Sequence, residues 1–270
     1  PMKRIWCNGD WIHPKDFPQS PLDRGAMLGL GLFETILAVD GIAKFADRHL
    51  ARLRQGCERL GWIFEMTDFD GIANELLEKN QFGHGRARIR LAVTGGSGPL
   101  RDLTAGIDRV VWMAALVGLV PPETLSACIS PWPRNEHSPL VGLKCASYAE
   151  NCIALDHARR LGFDEAIFFN TAGHLCEAAT ANIFIVKNGR LSTPSLKSGC
   201  LPGIGREVVI ERAHEMGISF EARVLTCEDL TAADEIFLTS STRGPVPLVL
   251  LEDKKLLVGS VVRRLLEFAW

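Results

Sequence analysis

The chain has 270 residues, 47% of them apolar, which is enough to bury one large core or two smaller ones. Its 30 Lys and Arg against 32 Asp and Glu leave a net charge of −2, so it carries no electrostatic footprint for nucleic acid or an anionic membrane, and any anion must be bound locally. No stretch approaches the ~18 apolar residues of a membrane span, and the N-terminus is too short and polar for a signal peptide. The 8 cysteines show no short paired spacing and no Cys-x-x-Cys, which argues for reduced thiols in a cytoplasmic protein and against a structural zinc or other metal centre.

In chain order, residues 3 to 12 read as two short strands around Asn8-Gly9, a strong hairpin pair. A loop through Leu22-Asp23-Arg24-Gly25 leads to a second hairpin, Phe33 to Val39 and Ile42 to Phe45, turning at Asp40-Gly41. Asp47 is the expected N-cap of a helix stopped by Gly61, with Leu50, Leu53, Cys57 and Leu60 as its core stripe. His49 and Arg52 lie off that stripe, and Arg52 reads equally as a solvated helix residue. A second helix is expected over Phe69 to Lys79.

Next, Arg86, Arg88 and Arg90 alternate with Ala87, Ile89 and Leu91, the period of a strand with one polar face. GGSGPLRDLTAG, which holds Arg101, reads as a flexible loop, and Val110 to Val120 as an apolar strand. The two prolines of LVPPE restrict residues 119–123 to extended geometry, so a linker there separates an N-terminal domain, 1–118, from a second domain, 124–270.

In the second domain a strand at Ser126 to Ile129 precedes an apolar approach to Lys144, and Ser147 can cap a helix ended by Gly162. Strands are expected at Ala166 to Asn170, around Leu175 and at Asn182 to Val186, with Glu177 among small residues before a strand and Asn188-Gly189 as a hairpin turn. CLPGIG feeds a helix whose Val208, Val209, Ala213 and Met216 face the core. Its first amides and its dipole form a ready anion site, although an ordinary loop-to-helix turn reads the same way. A strand then ends in Thr239, Ser240, Ser241 and Thr242, hydroxyls that can simply cap a turn, and an amphipathic helix over residues 260–268 closes the chain.

The strings GLKCASYAENCIAL and FDEAIFFNTAGHLCEAATANIFIVKNGRLSTP, preceded by LDRGAMLGLGLFET and followed by LTSSTRGPVPL, resemble the class IV pyridoxal-phosphate enzymes. That family includes branched-chain aminotransferases, D-amino-acid aminotransferases and 4-amino-4-deoxychorismate lyases. The blocks fall in the right order over nearly the whole chain. The resemblance implies a two-domain α/β fold of type IV with pyridoxal 5'-phosphate in the interdomain cleft, commonly as a homodimer acting on a small amino substrate.

It also implies roles. Lys144 would hold the cofactor aldehyde as a Schiff base and act as general base, while Glu177 would keep the pyridine nitrogen protonated. Arg52, the amides of Ile204 and Gly205, and Ser240 with Ser241 would anchor the phosphate. Relatives often carry threonine where this chain has Gly205, so a side-chain hydroxyl is lost there. Tyr148, the single tyrosine, is either packing or a donor to the cofactor's phenolic oxygen, and Arg88, Arg90 or Arg101 would meet a substrate carboxylate.

A transaminase and a deoxychorismate lyase share the chemistry up to removal of the proton by Lys144, and differ in where a proton returns. The lyases commonly read phenylalanine, an acidic or hydroxyl residue, then threonine, and that threonine is implicated in proton delivery; Phe33-Glu34-Thr35 matches and favours the lyase, with Thr35 in that role. A D-amino-acid or branched-chain aminotransferase is the alternative. Two loops depart from the family: Gly29-Leu30-Gly31 replaces the usual Gly-Asp-Gly, and no Arg-Gly-Tyr stands near Arg101. A cofactor-binding protein without turnover would need neither Lys144 nor Glu177.

Overall fold

The computed structural model describes residues 3–18, 20–267 and 270. The chain divides into two compact units: one runs to Val120 and includes Leu143–Tyr148, and the other comprises Pro121–Gly142 and Ala149–Trp270. Among the described residues, no helix is long and apolar enough to cross a membrane.

The first unit contains β1 (Ile5–Cys7), β2 (Asp10–Ile12), α1 (Arg24–Leu28), β3 (Gly31–Val39), β4 (Ile42–Ala43), α2 (Ala46–Arg59), α3 (Phe69–Lys79), β5 (Arg86–Thr94) and β6 (Val111–Val117). Its strands form one antiparallel sheet in the order β2-β1-β6-β5-β3-β4, with Thr35 opposite Arg90 and Leu37 opposite Arg88. Side chains alternate across a strand. One face therefore sends Leu32, Ile36, Ile89, Leu91 and Met113 into a core with Leu53 and Cys57 of α2 and Leu76 and Leu77 of α3. Each such buried aliphatic side chain contributes about 1.5–3 kcal/mol. The opposite face carries Phe33, Thr35, Arg88 and Arg90.

Two local expectations change. Helix α2 begins after Phe45, held in the left-handed region at φ 55, so Asp47 lies in the first turn and caps nothing. The glycine-rich loop after β5 is not slack: the buried guanidinium of Arg24 donates to the carbonyls of Gly95, Gly96, Pro99, Asp102 and Leu103 at 2.7 to 3.3 Å. One cation thereby gathers five carbonyls and gives the loop its shape.

The segment carrying Lys144 groups with this unit because it pairs with β3, whereas the sequence reading keeps 124–270 contiguous. The Phe33 N–H donates to the Lys144 carbonyl at 3.0 Å, and the Ala146 N–H to the Gly31 carbonyl at 2.7 Å. Ser147 does not act as the expected cap; its hydroxyl donates to the carbonyls of Leu28 and Gly29 at 3.3 and 3.1 Å.

The second unit contains β7 (Leu125–Ile129), α4 (Ala149–Arg160), β8 (Glu165–Phe169), β9 (Leu175–Ala178), β10 (Asn182–Lys187), β11 (Arg190–Pro194), α5 (Ile204–Glu215), β12 (Phe220–Arg223), α6 (Cys227–Thr231), β13 (Glu235–Ser240), β14 (Gly244–Leu251), β15 (Lys254–Lys255) and α7 (Ser260–Leu266). Its mixed sheet runs β12-β11-β10-β13-β14-β7-β8-β9, with β15 on β14. On one face Ile183, Ile236, Leu238 and Leu125 form a core. On the other, Phe184 and Phe237 stack at 4.9 Å and pack with Val209 and Ala213 of α5 and Val262 of α7. By alternation, Thr239 belongs to the α5 face. Glu177 lies within β9, opposite Phe168, rather than ahead of a strand. Phe268, placed in the last helix by the sequence reading, lies outside the described residues.

Candidate active site

The first unit presents chemistry on both faces of β3. On the core face, Glu34 is 1% exposed and meets two α2 side chains. Arg52 clamps it through Nε and Nη2, at 2.7 and 2.6 Å, and His49 Nδ1 stands 2.7 Å from Oε2. The polar residues lying off the apolar stripe of α2 are thus turned to a buried carboxylate; Arg52 is not a solvated helix residue. Burial pushes Glu34 up, but the Arg52 charge and the hydrogen bonds from His49 and Arg52 outweigh it and hold the group at about 2. Burial dominates at His49 and lowers it despite the carboxylate, so the ring is neutral at pH 7. It is therefore Arg52, not an imidazolium, whose charge keeps Glu34 ionised. Nδ1 donates, and Nε2 is buried with no hydrogen-bond partner among the described residues.

On the opposite face the groups converge on Phe33. Lys144 Nζ lies 4.6 Å from the centre of its ring and 5.5 Å from that of Tyr148, and the two rings meet edge to face at 5.5 Å. The Arg90 guanidinium lies 3.3 Å over the same Phe33 ring, and its Nη1 donates to Thr35 Oγ1 at 3.3 Å. Burial lowers Arg90 to about 10, with Tyr148 and Glu34 opposing, so it remains a cation at neutral pH. Lys144, Tyr148, Thr35 and Arg90 are brought together; Arg88 and Arg101 are not. Arg88 spends its Nε on the Val117 carbonyl at 3.0 Å, and Arg101 is exposed in the loop gathered by Arg24.

The second unit holds Glu177, Ile204, Gly205, Ser240 and Ser241. Glu177 Oε2 accepts from the Leu201 N–H at 2.9 Å, and Oε1 stands 3.7 Å from Arg134 Nη2. The Arg134 guanidinium lies 4.3 Å over the Phe168 ring and donates through Nη1 to Glu150 and to Asn151 Oδ1, while Nε and Nη2 are buried without a hydrogen bond among the described residues. Arg134 was not foreseen. Its only signal is an arginine following Pro131-Trp132-Pro133, where a solvated residue needs no such apolar setting.

No side chain caps α5, and the amides of Ile204, Gly205 and Arg206 precede its first helical hydrogen bond, Glu207 to Gly203 at 3.0 Å. A Cβ on Gly205 would lie 2.9 Å from the Ser240 carbonyl carbon, so glycine is what lets the helix start approach the end of β13. Ser240 Oγ accepts from Arg243 Nε at 3.4 Å, and Arg243 also reaches Glu165 and Thr180 at 2.9 and 2.7 Å. The Ser241 carbonyl accepts from the Trp270 indole at 2.9 Å. An uncapped helix start and a glycine whose Cβ position lies against the Ser240 backbone fit a phosphate; a carboxylate backed by an arginine fits a pyridinium nitrogen.

A two-unit α/β chain with a β3-docked lysine and these anion-binding features belongs to a recognisable class of enzymes. A family model described as amino-transferase class IV matches residues 31–251. The chain is 32% identical to a Methanocaldococcus jannaschii protein provisionally named as a branched-chain-amino-acid aminotransferase, covering 98% of this chain and 94% of that one. It is 28% identical to the aminodeoxychorismate lyase of Bacillus subtilis, covering 92% and 87%. The crystal structure of the branched-chain aminotransferase from Thermoproteus uzoniensis with norvaline superposes with a TM-score of 0.91 at 28% identity, over 99% of this chain and 93% of that one. The chain belongs to the class IV aminotransferases, enzymes dependent on pyridoxal 5'-phosphate, and has their type IV fold.

Proposed function

We propose that the protein is a 4-amino-4-deoxychorismate lyase, releasing 4-aminobenzoate and pyruvate. The observation that carries this reading is the setting of Thr35: its hydroxyl lies on the Phe33 face of β3, bonded to Arg90, with Lys144 against the same ring. Bound pyridoxal phosphate supplies an aldehyde for the substrate amine and a ring that withdraws electrons from the amine-bearing carbon. Lys144 Nζ would hold the cofactor aldehyde at rest and would serve as the base for the proton on that carbon. Glu177, whose Oε1 stands 3.7 Å from Arg134 Nη2, would hold a proton on the ring nitrogen. Arg52, the amides of Ile204 and Gly205, and the hydroxyls of Ser240 and Ser241 would bind the phosphate, and Tyr148 would donate to the phenolic oxygen.

Arg90 would bind a substrate carboxylate in preference to Arg88 or Arg101, because its guanidinium is partly desolvated against the Phe33 ring that Lys144 also approaches, and meets a hydroxyl rather than an acid. Thr35 would relay to the departing enolpyruvyl group the proton that Lys144 takes from the amine-bearing carbon, so that none is gained or lost overall.

A branched-chain or D-amino-acid aminotransferase is the second reading, favoured by the 32% identity to the M. jannaschii protein. Incubation with aminodeoxychorismate and with single amino acids separates the two. The lyase reading expects 4-aminobenzoate and pyruvate from the former, with the cofactor spectrum restored. Stoichiometric conversion of the cofactor to its amine form by an amino acid, with a keto acid released, would overturn it.

A further inference from the structure

Arg90 is held differently from Arg24, Arg52 and Arg88. Arg24 donates to five loop carbonyls, Arg52 gives Nε and Nη2 to Glu34, and Arg88 gives Nε to the Val117 carbonyl. Each of the three is directed by bonds that use up its donors. Among the described residues Arg90 makes one hydrogen bond, from Nη1 to Thr35 Oγ1 at 3.3 Å. Its Nε and Nη2 are not among the buried nitrogens that lack a partner, so both stay open to solvent and to a ligand.

What sets its direction is the ring of Phe33. The register places Arg90 opposite Thr35 and Ala92 opposite Phe33, so Phe33 and Arg90 are diagonal neighbours on one face, within reach of an aromatic and a long side chain. The guanidinium carbon lies 3.3 Å from the ring centre, a face-on contact that takes no N–H. The ring itself is fixed: Phe33 is 4% exposed, Tyr148 meets it edge to face at 5.5 Å, and its N–H donates to the Lys144 carbonyl at 3.0 Å. Lys144 Nζ approaches the same ring at 4.6 Å, so one side chain holds the cation in register with the amine. A leucine would bury apolar surface there as well, but it has no π face.

We infer that Phe33 is a positioning residue that sets the site's preference for a carboxylate: its ring fixes the Arg90 guanidinium and leaves Nε and Nη2 free for a substrate oxygen. The inference rests on the proposed reading of Arg90 as the carboxylate partner, and extends it to a side chain with no polar group of its own. A solvated arginine has to be ordered when a ligand arrives. One already stacked on a buried ring meets the carboxylate with its rotamer set, which strengthens binding of the acid and does nothing for a neutral isostere.

The test is calorimetric binding, to the cofactor-loaded protein, of two acids and their amides: 4-aminobenzoate with 4-aminobenzamide, and pyruvate with pyruvamide. The parent should bind at least one acid about tenfold more tightly than its amide, the worth of a charged hydrogen bond, and Arg90→Gln should lose that preference. Phe33→Leu and Phe33→Met, both apolar and without a π face, should each lower the preference about fivefold, whereas Phe33→Tyr, which keeps the face, should retain it. In the Arg90→Gln background the same changes at Phe33 should leave the preference where it is. A full preference in a folded Leu or Met variant, acid and amide weakened alike, a comparable loss in Phe33→Tyr, or an equal drop in the Arg90→Gln background would overturn the inference and leave the role of Arg90 standing. A parent that prefers neither acid, or an Arg90→Gln protein that keeps the preference, would overturn the carboxylate reading of Arg90, and the inference with it.

Discussion

Two carboxylates, Glu34 and Glu177, each stand near an arginine, yet the geometry differs. Arg52 grips both oxygens of Glu34 at 2.6 and 2.7 Å with His49 beside them, whereas Arg134 stands 3.7 Å from Glu177, beyond hydrogen-bonding reach. A clamped carboxylate fixes the direction of its arginine, and its own charge is spent inside the protein. A carboxylate whose arginine stands at that distance gives that guanidinium no lone pair. The first arrangement serves the fold and orients Arg52; the second suits a group that must hold a proton on a ligand.

The comparison can be broken by substitution. Glu34→Gln should cost about 3 kcal/mol of stability, because it leaves a guanidinium without its buried counter-charge. Glu177→Gln should shift stability by about 1 kcal/mol or less while lowering turnover about 100-fold. Urea unfolding and kinetics on the two variants decide the matter, and equal stability losses would erase the distinction. Arg90→Gln should raise the KM for a carboxylate substrate about tenfold or more, the worth of one charged hydrogen bond.

A smaller effect follows from pH. His49 titrates lower in the folded chain than its ordinary ~6.5, so its contribution is present above that value and is lost as pH falls through the folded value. Glu34, held at about 2, adds a second loss between an unfolded pKa of ~4.3 and about 2. Both signs run the same way: acid destabilises. Between pH 7.5 and 5.5 the parent should lose more urea resistance than His49→Gln, and parallel losses would remove His49 from the account. Arg88→Ala, whose Nε serves only an edge carbonyl, should change stability by no more than about 0.5 kcal/mol and substrate binding not at all.

Local signals were the most legible part of the chain. The Asn8-Gly9 and Asn188-Gly189 turns form the expected hairpins, and α3 spans the expected Phe69–Lys79. The candidates Lys144, Glu177, Ile204 and Gly205 could be named because family motifs mark them, not because their surroundings could be seen. What periodicity missed were polar groups whose partners are distant in sequence. His49 lies off the apolar stripe of α2 and is nevertheless fully buried, because Glu34, 15 residues earlier, meets it from β3. Arg24 turns a glycine-rich stretch more than 70 residues away into an ordered loop. Arg134 sits in a proline-bounded string with no period at all, and only the fold brings it beside Phe168 and Glu177. Apolar patterns announce a face; buried charges announce themselves only through the partner.

The most direct test of the account is chemical. The protein is incubated with pyridoxal 5'-phosphate, reduced with borohydride, digested, and searched by mass spectrometry for the phosphopyridoxyl adduct. The account predicts the adduct on Lys144, the lysine docked against β3 and Phe33. An adduct on another lysine, or none at all, would contradict it.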